Sequence, residues 1–182
     1  VFMNMINGAV LLGSPIRSKV VVGGGIGVVG IVLVFWPQLV SFSLSDKSAV
    51  GLVLSVVSTY MASIGNIISA RHQKYNLPVI QTNAYGMTYG AGIMGAFPLV
   101  LGKPFSFEMS FLYISSLFYL SFFGTIIGFG CYLKLIGKIG ADRAAYVTML
   151  FPIVALGIST VYEGYQWAAH NLIGMAVVLV GN

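Results

Sequence analysis

The sequence has very little charge. Asp, Glu, Lys and Arg together make up 7% of its 182 residues, whereas a soluble domain has about 25%. Hydrophobic residues make up 58% and fall in long runs. This imbalance excludes an ordinary soluble domain. It predicts an all-α, polytopic membrane protein, because a helix satisfies its own backbone groups in lipid.

The residues that enzyme chemistry needs are also scarce. The single cysteine, Cys131, excludes an internal disulfide and a multi-cysteine metal site. His72 and His170 are far apart in the sequence, and no Asp, Glu, Lys or Arg falls in the middle of an apolar run. No nucleophile–base pair, phosphate-binding loop or metal-ligand spacing is recognisable. The sequence therefore predicts no enzyme, no cofactor and no metal site.

Apolar runs indicate the number of membrane crossings, since a helix needs about 20 residues to span a bilayer. Five internal runs qualify, namely 20–36, 48–70, 78–101, 111–133 and 144–161. Two shorter runs, 1–13 and 171–182, lie at the ends of the chain. We expect about seven spans with the first and last incomplete, and hence a fragment of a longer protein.

Basic residues are concentrated in every second gap between these runs. Three gaps hold seven of the nine, which are Arg17, Lys19, Arg71, Lys74, Lys134, Lys138 and Arg143. Lys and Arg near a span are retained in the cytoplasm during insertion, so we predict that these three gaps are cytoplasmic and the others extracytoplasmic. The net charge of +5 is then explained by topology and lipid headgroups, without nucleic acid. The predicted location is the inner or plasma membrane.

Polar side chains inside the spans mark a candidate substrate cavity, because lipid offers them no partners. In run 48–70, Ser55, Thr59, Ser63 and Asn66 share one helical face; interhelical packing and cavity lining both remain open for this face. Run 78–101 begins with a dense group of amides and phenols. The candidate cavity residues are Thr59, Ser63, Asn66, Asn83, Tyr85, Tyr89, Thr125 and Thr148. Pro152, in the middle of run 144–161, predicts a helix break.

Glycine spacing predicts close helix contacts. The G-x-x-x-G pairs, which let two helices approach, are Gly23 and Gly27, Gly86 and Gly90, and Gly124 and Gly128. Gly23 and Gly30 also share their spacing with Gly174 and Gly181, and each pair follows a short polar turn. Since the charge rule places these turns on opposite sides of the membrane, the match predicts an inverted repeat. Packing within one chain and a homodimer seam are both open.

The C-terminal third resembles one family. The matching stretches are 137–145, 150–155, 162–164 and 174–181, with weaker similarity in 9–30 and 83–90. They resemble EamA-type domains of the drug/metabolite transporter superfamily, which usually have a basic Gly-Ala/Arg-Ala loop, a helix with Pro, a Gly-Glu turn and a glycine-spaced last helix. Two positions depart from that pattern: Ser14 stands where Glu is usual, and Tyr162 stands where Gly often precedes Glu163.

The resemblance implies ten helices in two inverted five-helix repeats. Residues 1–44 would hold the last two helices of the first repeat, and 45–182 nearly all of the second. It also implies a secondary transporter that exports or exchanges small organic metabolites or drugs by alternating access, with Glu163 ordering an outer turn. The alternative is a non-transporting membrane subunit that assembles through its glycine faces. Because each Lys and Arg lies outside the middle of the spans, we predict a neutral, zwitterionic or cationic substrate.

Overall fold

The protein is described by a computed structural model that covers residues 1–42, 46–104 and 106–181. The helices are α1 (Phe2–Leu12), α2 (Ser18–Val34), α3 (Trp36–Val40), α4 (Asp46–Lys74), α5 (Val79–Val100), α6 (Phe111–Tyr119), α7 (Gly130–Ile139), α8 (Ala141–Ala144), α9 (Tyr146–Met149), α10 (Phe151–Tyr162) and α11 (Ala169–Gly181). A π-helical segment, Leu120–Phe129, joins α6 to α7. Within these ranges the chain forms helices and loops only, as its composition predicts.

Three helical stretches are long and apolar enough to cross a membrane: Ser48–Lys74, Phe111–Ile139 and Ala141–Tyr162. Shorter apolar helices are Phe2–Leu12, Ser18–Val34 and Ala169–Gly181. Helix α5 has 22 residues, but its first turns contain the amides and phenols noted above, and it is not among these three stretches. Each of the seven apolar runs thus corresponds to a helical stretch, which confirms the helical membrane class.

The chain divides into two compact units. The first contains Val1–Ile67 and Ile139–Asn182, and the second contains Ile68–Lys138. The repeat boundary predicted at residues 44 and 45 lies outside the described residues, so the division into repeats stays a prediction.

Helices α2 and α11 form the most extensive helix contact of the first unit. A Cβ added at Gly30 would lie 2.7 Å from the Gly174 oxygen, and one at Gly174 would lie 2.7 Å from the Gly30 oxygen. Gly23 and Gly181 meet in the same reciprocal way, at 2.5 and 2.7 Å. Early residues of α2 thus pair with late residues of α11, so the helices are antiparallel. The two glycine pairs that share a spacing pack directly against each other. We call this contact the glycine seam (Gly23, Gly30, Gly174 and Gly181).

In the second unit, the end of α4 is joined to α7. The Gln73 Nε2 donates a hydrogen bond to the Leu133 oxygen at 2.8 Å, and Leu133 and Ile136 are buried. Within the π-helical segment, the Thr125 hydroxyl donates to the Leu120 oxygen at 3.3 Å. This five-residue reach is the spacing of a π-helix.

The predicted sidedness can be tested by cysteine labelling. Single cysteines would replace Glu163, Lys103, Arg71 or Lys138 on a Cys131→Ser background, in intact cells treated with an impermeant thiol reagent. We expect labelling at positions 163 and 103 and protection at 71 and 138, because the last two belong to the basic gaps predicted to be cytoplasmic. Permeabilised cells, in which all four sites should react, are the control. Labelling of 71 or 138 from outside would refute the topology.

Candidate functional site

A buried polar cluster connects α1 with α4 and α8. The Asn4 amide donates to the Ala141 oxygen at 2.9 Å and accepts from Asn66 at 3.4 Å. The Asn7 amide donates to the Ser63 hydroxyl at 2.9 Å. Asn4, Asn7 and Ser63 are 5%, 7% and 2% exposed. We call Asn4, Asn7, Ser63 and Asn66 the asparagine cluster. It ties three helices together through groups that lipid cannot satisfy.

The polar face of α4 separates into two parts. Its later members, Ser63 and Asn66, belong to the asparagine cluster. Its earlier members bond to their own helix, since Ser55 donates to the Gly51 oxygen at 2.9 Å and Thr59 to the Ser55 oxygen at 2.8 Å. Such back-bonding satisfies a hydroxyl without a partner helix. For Ser63 and Asn66, the structure thus shows interhelical contacts.

Asn4 and Asn7 were absent from the sequence-based candidates, although they are central to this cluster. Both lie in the short run at the start of the chain, one helical turn apart. Two carboxamides on one face of an apolar helix are costly in lipid and therefore indicate a partner. That spacing was the pattern that could have identified them.

The candidates of α5 lie in the second unit. Tyr85 and Tyr89 are 67% and 70% exposed, and Asn83 is half-buried. Thr88 bonds back to the Ala84 oxygen at 2.8 Å. The two phenols therefore stand on an open face of α5, and their assignment to a substrate cavity stays a prediction.

The remaining candidates lie where helical geometry changes. Thr125 is in the π-helical segment, while Thr148 is in α9 and donates to the Ala145 oxygen at 2.7 Å. Pro152 lies in the first turn of α10. The stretch Ala141–Tyr162 is accordingly interrupted at Ala145 and at Leu150. Because proline lacks an N–H and crowds the preceding turn, a helix starts more easily at this position than it continues through it.

Glu163 ends α10 in an exposed turn. Its Oε2 accepts a hydrogen bond from the Ser159 hydroxyl at 2.7 Å, and its backbone N–H donates to the Ser159 oxygen at 2.9 Å. Gly164 follows with φ of 65°, a left-handed conformation that glycine adopts at little cost. These contacts place the Glu163 carboxylate at the helix end, and its role in ordering the turn stays a prediction.

Among the residues with described positions, no group of three or more His, Cys, Asp or Glu side chains comes close enough to hold a metal ion. The functional features are polar contacts between membrane helices and glycine-mediated helix packing. Both are typical of helical integral membrane proteins.

The chain belongs to the EamA-like transporter family, whose sequence model matches residues 49–182. This confirms the family expected from the C-terminal motifs, and the family is one of transporters and not of enzymes.

Two curated relatives extend the comparison. The chain is 21% identical, over an alignment of 193 positions, to proteins called "Probable amino-acid metabolite efflux pump" in Salmonella typhimurium and in Escherichia coli K12. The alignment covers 99% of this chain and 62% of each relative. No solved structure matches the chain.

Proposed function

We propose that the protein is a secondary transporter that moves small organic metabolites outward, or in exchange, across the inner or plasma membrane. The observation that carries this proposal is the family match over residues 49–182. The helical fold agrees with it. By analogy with the names of the two relatives, the proposed substrates are amino acids and their derivatives.

The proposed mechanism is alternating access between two inverted repeats. The glycine seam supports this arrangement, because two antiparallel helices with matching glycine spacing make reciprocal contacts. Helices that correspond in two inverted repeats are related by a pseudo-two-fold axis in the membrane plane, which makes them antiparallel. In this proposal α2 closes the first repeat and α11 closes the second. The proposed cavity residues of α5 would face the substrate at the level of the bilayer midplane.

The charge distribution restricts the proposed substrates. Arg17, Lys19, Arg71 and Lys74 lie in loops or at helix ends, and Arg143 lies at the start of the stretch Ala141–Tyr162. A desolvated phosphate without a cation is very costly. Zwitterionic amino-acid metabolites avoid that cost, and apolar or cationic substituents would suit the tyrosines of α5.

An export screen tests the proposal in cells. Amino-acid metabolites in the medium would be compared between a deletion strain, the wild type and an overexpressing strain. At least one metabolite should rise outside and fall inside as expression rises. Identical extracellular profiles in the three strains, with the overexpressed protein folded in the membrane, would contradict the proposal.

Energy coupling leads to a specific prediction for Glu163. A proton-driven carrier needs an ionisable group that reaches the cavity, whereas the Glu163 carboxylate is exposed and held by Ser159 at the end of α10. We expect the Glu163→Gln transporter to keep at least half of its flux and to respond little to an imposed pH gradient. Flux into vesicles with and without the gradient measures this. Loss of proton-coupled flux in a folded variant would show that Glu163 couples transport.

A second candidate is a non-transporting subunit that assembles through its glycine faces. The observation that favours it is that a Cβ added at Gly86, Gly90 or Gly124 would meet nothing within 4 Å, so these glycines are open to another helix. A homodimer could use the same faces. Disulfide cross-linking between copies that carry Gly86→Cys, Gly90→Cys or Gly124→Cys on a Cys131→Ser background would detect a homodimer, while failure to cross-link at all three positions would exclude a homodimer through these faces.

A further inference from the structure

We propose that the protein binds an anionic phospholipid beside α8, at the place where α2 begins and α11 ends. A cavity of about 720 Å³ opens there. Three cations line it, namely Arg17, Lys19 and Arg143. All three belong to the basic gaps between apolar runs that the charge pattern predicts to be cytoplasmic, so the cavity would lie at the level of the lipid headgroups.

The cavity has a clear excess of positive charge. One of the three cations is paired with a carboxylate. The Arg17 guanidinium lies 3.7 Å from an Asp142 oxygen, in a partly exposed ion pair. Lys19 and Arg143 are exposed and have no ion-pair partner within 4.0 Å in the described part of the chain. The N-terminus of α2 also lies at this site, where no side chain caps it. The positive end of a helix adds to the attraction for an anion.

An apolar groove continues from the basic cavity along the contact between α2 and α11. It has a volume of about 460 Å³. Val22, Ile26 and Val180 line the groove, and Ser18, Lys19 and Gly181 line both spaces. A basic space that passes directly into an apolar one matches a molecule with an anionic head and a hydrocarbon chain. A free phosphate or a soluble metabolite would leave the groove unused, so a membrane phospholipid fits the pair of spaces best.

The site adjoins the glycine seam, since Gly23 and Gly181 line the groove. A lipid bound there would contact both helices that the seam joins. This inference does not depend on the transport activity, because the binding site is made of groups at the headgroup level and outside the candidate substrate residues.

Lipid binding to the intact purified protein tests the inference. Short-chain phosphatidylglycerol and phosphatidylcholine with the same acyl chains would be titrated, with inorganic phosphate as a third ligand, and bound lipid counted by native mass spectrometry. We expect a preference for phosphatidylglycerol. The double variant Lys19→Gln/Arg143→Gln should bind it about 25-fold more weakly, because each headgroup-level cation contributes about fivefold. The charge-matched control Lys74→Gln/Lys134→Gln removes two cations that do not line the cavity and should bind as the wild type does.

A separate variant tests whether the acyl chain occupies the apolar groove. Val22 is 61% exposed, so Val22→Trp fills the groove without disturbing a buried contact. The wild type should bind phosphatidylglycerol more tightly as its acyl chains lengthen, and Val22→Trp should lose most of this chain-length dependence. The inference is overturned if the folded double variant keeps the lipid preference. It is also overturned if inorganic phosphate displaces the lipid at equal concentration, which would show a free-anion site.

Discussion

Gly30→Ala should destabilise the protein strongly, by about 2–3 kcal/mol in free energy of unfolding. The added Cβ would lie 2.6 Å from the Val178 nitrogen and 2.7 Å from the Gly174 oxygen. Both are backbone atoms, so neither can turn aside as a flexible side chain could. The two helices would have to move apart, and the close contacts along the glycine seam would be lost. Unfolding by SDS in mixed micelles, followed by circular dichroism, measures the change.

Gly25 provides the matched control on the same helix. A Cβ added at Gly25 would meet nothing within 4 Å, and alanine favours a helix over glycine by about 1 kcal/mol in water. Gly25→Ala should therefore leave the free energy of unfolding unchanged or slightly raised. Equal destabilisation by Gly25→Ala and Gly30→Ala would contradict the glycine seam, because the effect would then be a general property of glycines in α2.

The second large effect is expected in the asparagine cluster. Asn7→Leu and Ser63→Ala should each reduce the free energy of unfolding by about 1–2 kcal/mol, since each leaves the other buried group without its partner. In the double variant the losses should not add. The expected coupling energy is about 0.6 kcal/mol, the average for hydrogen bonds between membrane helices, and at most about 1.7 kcal/mol.

Thr59 is the control for this cycle. It lies on the same face of α4, but it is exposed and bonds to its own helix. Thr59→Ala should cost less than about 0.5 kcal/mol and should be additive with Asn7→Leu. Additivity of Asn7→Leu with Ser63→Ala would show that the 2.9 Å contact contributes nothing to stability.

The helices were largely predictable from the sequence because lipid imposes one dominant condition. An apolar run of sufficient length must be helical, so each run reappears as a helical stretch. The residues at which the helices end were less predictable. Run 48–70 continues as a helix to Lys74, since polar and basic residues extend a helix beyond the apolar core as soon as water and headgroups solvate them.

Other features could not be read from the chain. The segment Leu120–Phe129 is mostly apolar, with Ser121 and Thr125 as its polar side chains. Such a pattern has no clear phase that distinguishes a π-helix from an α-helix. Glycine spacing predicted the close contact at Gly23 and Gly27 but not its partner helix, because α2 and α11 are remote in sequence. The same spacing at Gly86 and Gly90 was a wrong indication within the described residues, since a Cβ there would meet nothing within 4 Å. The same limit applies to Ser63 and Asn66, because their partners Asn7 and Asn4 are 56 and 62 residues away in the sequence.

Exchange across reconstituted vesicles tests the transport proposal most directly. The intact protein would be placed in proteoliposomes preloaded with an unlabelled zwitterionic amino-acid derivative, and uptake of the labelled compound would be followed. Alternating access predicts saturable uptake that is several-fold faster in preloaded than in empty vesicles, because the substrate-bound carrier returns each time with cargo. A sugar phosphate of similar size should show neither saturation nor acceleration. Absence of saturable uptake for every amino-acid derivative tried, by a folded protein, or saturable exchange of the sugar phosphate, would contradict the account.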